Sequence, residues 1–240
     1  MVLEKLQGSG VPRAYVEAAF ARPEVKLHEE IPGFFDHPAE ALPYEEYRRR
    51  IITDARIAGG VRFRETRKTE LAAVARAYGV DEVLMTGLVG VESSYGTNRG
   101  KYTVFNSLYT IIRLVPKRSR WAAGELAEYL KYCHADRVDP QGILGSYAGA
   151  FGYGQFIPSS FNRLAVDFDG DGVRRHDSWP DVLASIANYW VKNGYEPGSL
   201  DFSRDSSIWK ALFAYNHSDN YVNVVIDLRA EILARRGPGA

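Results

Sequence analysis

The 240-residue chain has a single cysteine, Cys133, so it can hold no intrachain disulfide. That excludes a disulfide-stapled scaffold but leaves the compartment open, because many proteins of oxidising compartments do without disulfides. Net charge is missing too: 30 Lys and Arg balance 30 Asp and Glu. Charged residues make up 25% of the chain. This balance fits neither a disordered segment nor a polyanion-binding stripe, so no nucleic-acid partner is expected. Local basic patches remain possible, and one of them, Arg48–Arg50, reads first as a solvated helix face. No apolar stretch reaches the roughly 18–20 residues that span a bilayer, and MVLEKLQGSG lacks the apolar core of a signal peptide. That opening reads as an expression leader, which leaves an export signal open. There is no HExxH, no Ser/His/Asp order and no GxGxxG or GKS/GKT, and His176 and His217 stand isolated. A zinc hydrolase, a triad enzyme and a phosphate loop lose their support. No repeat or low-complexity segment is visible.

The pattern that remains is mainly helical, with irregular loops and at most short strands. Val11–Ala21 reads as a helix with Pro12 in its first turn. Residues 31–43 carry three prolines and no period, and are expected to be a linker. Tyr44–Arg56 reads as one helix, with Gly59 and Gly60 breaking the chain after it. Further helices are expected over Thr66–Tyr78 (stopped by Gly79), from a cap at Asp81 onward, and over Thr103–Leu114 and Ser119–Ala135. Asp139–Gly154 reads as loop. Pro180–Asn193, Ser206–Tyr215 and Asn220–Arg235 close the series. The chain divides on this reading into an N-terminal helical segment and linker, 1–43, and a larger domain, 44–240.

The most informative stretch is Met85–Gly96, MTGLVGVESSYG. Leu84, Leu88 and Glu92 recur at i, i+4, i+8 and share one helix face, so Glu92 occupies a position of core type. Ser93, Ser94, Tyr95 and Gly96 then end the helix. A carboxyl group on an apolar face, at the negative end of a helix, is expected to resist ionisation, which is what a general acid needs. A buried Glu bonded to the next loop is the structural alternative. From Ser93 to Gly124 no Asp or Glu follows, whereas a retaining glycosidase sets a second carboxylate across from its acid. The gap points to an enzyme working with one acid.

Two more stretches carry chemistry. GSYAGAFGYGQFIPSSF, from Gly145 to Phe161, combines backbone-approach glycines with one amide, Gln155, among Tyr153, Phe156 and Ile157. Rings with one amide suit a sugar bearing N-acetyl groups, and a tightly packed turn is the alternative. Asp167–Gly172, DFDGDG, opens like an EF-hand calcium loop. Its twelfth position is Ser178 rather than Glu, and Asp181, at the fifteenth, could close a lengthened loop over 167–181. Hard oxygen ligands favour calcium over zinc.

Together these stretches resemble the B-type lytic murein transglycosylases, in their soluble and membrane-bound forms. The matching residues are Tyr47 with Arg48–Ile51, GVESSYG, GSYAGAFGYGQFIPSSF, VDFDGDG with Asp181, SIANYW and AYNHSDNYV. They lie in the family's order over about Tyr44–Val225. The resemblance implies an α+β, mainly helical, lysozyme-like core with an N-terminal helical lobe, cleaving the β-1,4 bond between N-acetylmuramic acid and N-acetylglucosamine. It places the catalytic acid on Glu92 and sugar contacts on Tyr47, Arg118, Ser146, Gln155, Tyr189, Asn216 and Tyr221. It places structural calcium on Asp167, Asp169, Asp171, the Val173 carbonyl and Asp181, with no organic cofactor. Two departures stand out. Asp169 replaces a Ser of some members, and the family's basic pair appears as Lys117–Arg118.

The expected partner is the peptidoglycan glycan strand, the expected place the periplasm or cell envelope, and the expected state a monomer. No lipid-bearing Cys lies near Met1, so an anchored form has no support in the sequence. Two other functions stay open: a lysozyme-type hydrolase, in which water attacks, and a non-catalytic glycan- or calcium-binding module.

Overall fold

Helices supply almost all the regular structure in the computed structural model, which describes residues 1–36 and 42–235. In chain order they are α1 (Val2–Lys5), α2 (Arg13–Phe20), α3 (Ile31–Phe34), α4 (Tyr44–Ile51), α5 (Asp54–Thr66), α6 (Lys68–Tyr78), α7 (Glu82–Ser93), α8 (Val104–Leu114), α9 (Ser119–Ala135), α10 (Pro158–Leu164), α11 (Trp179–Lys192), α12 (Ser207–Tyr215) and α13 (Asp219–Ala234). Two-residue strands β1 (Tyr102–Thr103) and β2 (Leu144–Gly145) pair antiparallel, Tyr102 opposite Gly145.

The chain forms two compact units, residues 1–38 with 99–163 and residues 39–98 with 164–240. These cut across the sequence-based division at residue 43, because α1 packs on α9 and α3 on α8. The first unit closes around Phe105, Leu108 and Ile111 of α8, Leu126, Tyr129 and Leu130 of α9, and Phe151, all buried. The second is built on α7, whose Leu84, Met85, Leu88 and Val89 are fully buried, together with α13, α11 and α6.

Helices α7 and α13 run antiparallel in close contact. Asp81 caps α7 by accepting from the Leu84 N–H at 2.6 Å, and the same carboxylate takes a two-pronged bond from Arg229 of α13, at 3.0 and 2.7 Å. In the middle, Gly87 removes the side chain that would hold the helices apart: a Cβ there would lie 2.9 Å from the Val225 carbonyl oxygen. Helix α4 is tied to α13 in turn. Tyr44 donates to Asp227 at 2.6 Å, and Arg48 bonds Asp227 and Glu231 at 2.8 and 2.7 Å. Arg48 therefore leaves the solvated run, while Arg50 pairs with Glu46 on its own helix.

Several boundaries differ from expectation for identifiable reasons. The expected Tyr44–Arg56 helix breaks at Ile52–Thr53, where the Thr53 side chain caps α5 by accepting from Arg56 N–H. Gly59 and Gly60 do not break the chain but lie inside α5. A Cβ on Gly59 would sit 2.7 Å from the Tyr95 ring, and one on Gly60 would run into the Ile232 side chain. A helical glycine costs only about 1 kcal/mol, and burying Tyr95 and Ile232 in the vacated space offsets it. The Asp139–Gly154 loop contains β2, which only its partner strand could reveal. Helices α1, α3 and α10 were not anticipated. Of the expected linker, residues 37–41 lie outside the described residues.

Replacing Gly87 by Ala is expected to destabilise the fold by about 1–3 kcal/mol, since the added methyl meets backbone that cannot move cheaply. Gly124→Ala on α9, where a Cβ meets nothing within 4 Å, is expected to stabilise by about 0.5–1 kcal/mol. Chemical denaturation of both variants tests the pair.

Candidate active site

Glu92 stands at the last turn of α7, half-buried, on the face whose earlier members Leu84 and Leu88 are fully buried. The helix ends by turning left-handed at Ser94 (φ 48°) and Tyr95 (φ 61°), with the Tyr95 N–H returned to the Val89 carbonyl at 3.1 Å. Ser93, fully buried, spends its hydroxyl on this turn: Oγ donates to Val89 O and accepts from Gly96 N–H. Tyr95 locks it from outside. Its ring enters the space left by Gly59, Gly60 and Gly90, and its hydroxyl donates to the Arg56 carbonyl at 2.8 Å. The end of α7 that carries Glu92 is thereby tied to α5.

Beyond the Gly87 crossing, α13 brings Tyr221 to the acid. The Tyr221 hydroxyl donates to Glu92 Oε1 at 2.5 Å, and the residue is 2% exposed. Burial, then the Glu92 charge, pushes the Tyr221 phenol well above its ordinary pKa; Tyr215 is raised for the same two reasons in the same order. Tyr215 packs edge-on against Tyr189 with ring centroids 4.8 Å apart, and Tyr189 donates to Ala214 O at 2.6 Å. Tyr47, buried on α4, lies close enough to Tyr221 to raise its pKa further. Asn216 follows α12 in extended conformation and ends that helix. Thus Glu92, Tyr47, Tyr189, Asn216 and Tyr221 all belong to the second unit, with the first, third and last joined to Tyr215 around the acid. Tyr215 was passed over in the sequence although it lies in AYNHSDNYV, since a tyrosine closing a helix carries no local mark of its role.

The other expected sugar contacts belong to the first unit. Gln155 adopts a left-handed conformation (φ 50°) in the tight turn bounded by the Phe151–Phe156 bridge, and its amide donates to Gly152 O at 2.9 Å. A non-glycine residue in that region is uncommon and signals a turn held by its surroundings. Ser146 Oγ accepts from the Ala148 and Ala150 N–H groups at 3.2 and 3.1 Å. Arg118 is exposed, its guanidinium 4.7 Å from the Phe35 ring centre, and Phe35 packs edge-on against Tyr147. Phe35 lies in the stretch read as linker, where an aromatic residue has no period to mark its contacts.

In the acidic loop, carboxylate oxygens of Asp167, Asp169 and Asp181 converge to within 4.8 Å of one another. Asp181 is 1% exposed, and its two oxygens accept from the Phe168 and Arg175 N–H groups, each at 2.8 Å. Asp167 accepts from the Gly170 and Gly172 N–H groups. Asp171 faces otherwise, accepting from Val173 N–H and from Arg175 Nε at 2.9 Å. Three convergent carboxylates, one fully buried, on a loop folded by its own N–H groups are a donor set that fits a hard cation.

Tyrosines held above their ordinary pKa of 10.0 keep a proton in the fold that they lose on unfolding once the pH passes that value, so their stabilisation is complete below pH 10 and falls as pH rises past it. In an ultraviolet titration Tyr221 and Tyr215 are expected to ionise after the exposed tyrosines. Glu92→Gln, which deletes the neighbouring charge, is expected to bring their ionisation to lower pH; an unchanged titration would remove the coupling.

Comparison with known proteins accords with this geometry. The transglycosylase SLT domain family matches residues 2–203. Membrane-bound lytic murein transglycosylase B of Escherichia coli (strain K12) is 36% identical over 152 residues, 63% of this chain and 42% of that protein, so the match spans less than half of that relative's length. The crystal structure of soluble lytic transglycosylase SltB1 from Pseudomonas aeruginosa superposes with a TM-score of 0.86 at 28% identity, covering 97% of each chain. That of the Escherichia coli lytic transglycosylase SLT35 in complex with calcium gives a TM-score of 0.86 at 23% identity, over 97% of this chain and 91% of that one. The fold is the mainly helical, lysozyme-like fold of the lytic transglycosylases, and the chain belongs to the transglycosylase SLT domain family.

Proposed function

We propose that the protein is a lytic transglycosylase that cleaves the β-1,4 bond between N-acetylmuramic acid and N-acetylglucosamine in peptidoglycan. The observation that carries this reading is the Glu92 carboxyl group at the end of α7, half-buried and held on one oxygen by the Tyr221 hydroxyl at 2.5 Å. Family membership and the likeness to SltB1 support it. In the proposed reaction Glu92 gives its proton to the glycosidic oxygen as the bond to C1 breaks. The substrate N-acetyl group, or the oxocarbenium-like state itself, carries the positive charge that a second carboxylate meets in other glycosidases. The Glu92 carboxylate then takes the proton of the C6 hydroxyl of the same muramic sugar. That oxygen bonds to C1, the acid is regenerated and a 1,6-anhydro end forms with no water added. A well-oriented hydroxyl of the same molecule acts at a high effective concentration, which lets it outcompete solvent.

Tyr47, Tyr189, Asn216 and Tyr221 of the second unit are proposed as sugar-contacting residues, and so, each within the first unit, are Arg118, Ser146 and Gln155. On the separate, sequence-based division at residue 43, residues 44–240 are proposed to carry the chemistry and residues 1–43 to support it. The glycan strand is the proposed partner, a monomer the proposed state and the murein-containing cell envelope the proposed place of action. Among the described residues no helix is long and apolar enough to cross a membrane.

We propose further that calcium is held by Asp167, Asp169, Asp181 and the Val173 carbonyl, with Asp171 joining once it leaves Arg175. Calcium here supplies structural charge neutralisation and takes no part in the reaction. The convergence of three carboxylates supports this.

Glu92→Gln is expected to retain the fold and lose activity on murein by about 10²–10⁴-fold or more, because the amide keeps the shape without a transferable proton. Mass spectrometry of a wild-type digest should find 1,6-anhydro muropeptides. Reducing muramic ends carrying the mass of an added water would make the protein a hydrolase instead. For the loop, EDTA is expected to lower the melting temperature and calcium to restore it in proportion to its concentration over its dissociation constant. Asp169→Ala and Asp181→Ala should lose that response, and a melting curve indifferent to both reagents would refute the assignment.

A further inference from the structure

The second unit holds a cavity that the proposed reaction does not use. It measures about 570 Å³ and lies between α5 and the turn that follows Glu92. Three arginines line it: Arg56, Arg62 and Arg67. Most arginines whose contacts are described in this unit are paired with carboxylates, among them Arg48, Arg64 and Arg229. Two in the cavity have no carboxylate partner among the described residues. Arg56 is half-buried and spends two donors on neutral groups, Ile51 O at 2.7 Å and Ser94 Oγ at 3.0 Å. Burial lowers its pKa, and the charges that act on it belong to Tyr95 and Tyr47. Arg62 forms no ion pair among the described residues, and both guanidinium groups act on the Tyr95 hydroxyl. Arg67 alone has an acid, Glu70, at 3.1 Å.

A guanidinium held partly out of water without a counter-charge is costly, and an anionic group that supplies the missing charge recovers the loss. The remaining wall sets the class of ligand. Phe63 and Trp179 pack edge to face with ring centroids 4.5 Å apart, and Tyr95 lies beside Phe63 at 5.5 Å. Thr66 and Thr97 add hydroxyls. The volume falls in the range of small-molecule sites, roughly 300–1,000 Å³. A bare inorganic anion would leave the aromatic wall and most of that space uncovered, whereas a peptide carboxylate with small apolar side chains would satisfy both.

We propose that this cavity binds the carboxylate end of a short peptide through Arg56 and Arg62, its apolar body lying against Trp179 and Phe63. Naming the source as the peptide stem carried by muramic acid rests on the murein-cleaving function proposed above. Because Arg56 bonds Ser94, two residues beyond Glu92, an occupied cavity would hold the stem beside the turn that positions the acid.

The test uses the full chain and N-acetyl-D-alanyl-D-alanine as probe, with its C-terminal amide and inorganic phosphate for comparison. Binding is measured by calorimetry and by the indole N–H resonance of Trp179. The acid is expected to bind and to move that resonance, with the amide and phosphate at least about tenfold weaker. Arg62→Gln, at an exposed position, should weaken binding of the acid about tenfold or more, the loss of one charge-assisted bond. Arg56→Gln should do the same, its melting curve reporting whether the fold is kept. Equal binding of acid and amide, unchanged affinity in Arg62→Gln, or no binding at millimolar concentration would overturn the proposal. Phosphate binding as tightly as the dipeptide would make the cavity a small-anion site and overturn the peptide assignment. No step measures cleavage, so failure here leaves the murein reading standing, and an enzyme inactive on murein could still bind the dipeptide.

Discussion

The contact between α7 and α13 is the constraint on which the candidate site depends. It has three points along its length. At one end Asp81 both caps α7 and receives the Arg229 guanidinium. Partly buried ion pairs of this kind add little net stability but are costly to break, so they specify an arrangement more than they strengthen it. In the middle, Gly87 lets backbone meet backbone beside Val225. At the far end, the distance and register so fixed deliver the Tyr221 hydroxyl to Glu92 Oε1. Each point constrains the next, because an α-helix advances 1.5 Å per residue and does not stretch. The acid is thus positioned by an ion pair more than two helical turns away.

A second device holds the same acid from the opposite direction. The left-handed turn after Glu92 is not stable by its own sequence, since Ser94 and Tyr95 carry Cβ atoms that disfavour positive φ. Tyr95 makes it stable by entering the space cleared by Gly59, Gly60 and Gly90 and by bonding the Arg56 carbonyl. Local strain is offset by a buried aromatic ring. The same ring forms part of the wall of the arginine-lined cavity, so the support of the acid and the cavity share one structural element.

Much of this architecture was legible along the chain, and the reason is that its signals are local. Asp81 as a cap and Gly79 as a left-handed stop (φ 67°) follow from what single residues do at a helix end, within one turn. Leu84, Leu88 and Glu92 share a face by helical periodicity alone. The convergence of Asp167, Asp169 and Asp181 follows the spacing of a loop that folds on its own N–H groups.

The sequence by itself therefore determined the helical class, most helix boundaries, the acid at the end of α7 and the acidic loop. Only the tertiary structure decided what those residues meet. Gly59 and Gly60 read as breaks because glycine is locally weak in a helix, yet they make room for the ring of Tyr95, on a different helix end, which no local rule can see. Tyr215 and Tyr221 are ordinary helix tyrosines until packing sets them against Glu92 and raises their pKa values. Arg56 and Arg62 look like any arginines on a charged helix, because the absence of a counter-charge is a property of a place in space. Contacts between residues far apart in the chain depend on the register of whole helices, and that register is set by the sum of packing across the fold rather than by any stretch of it.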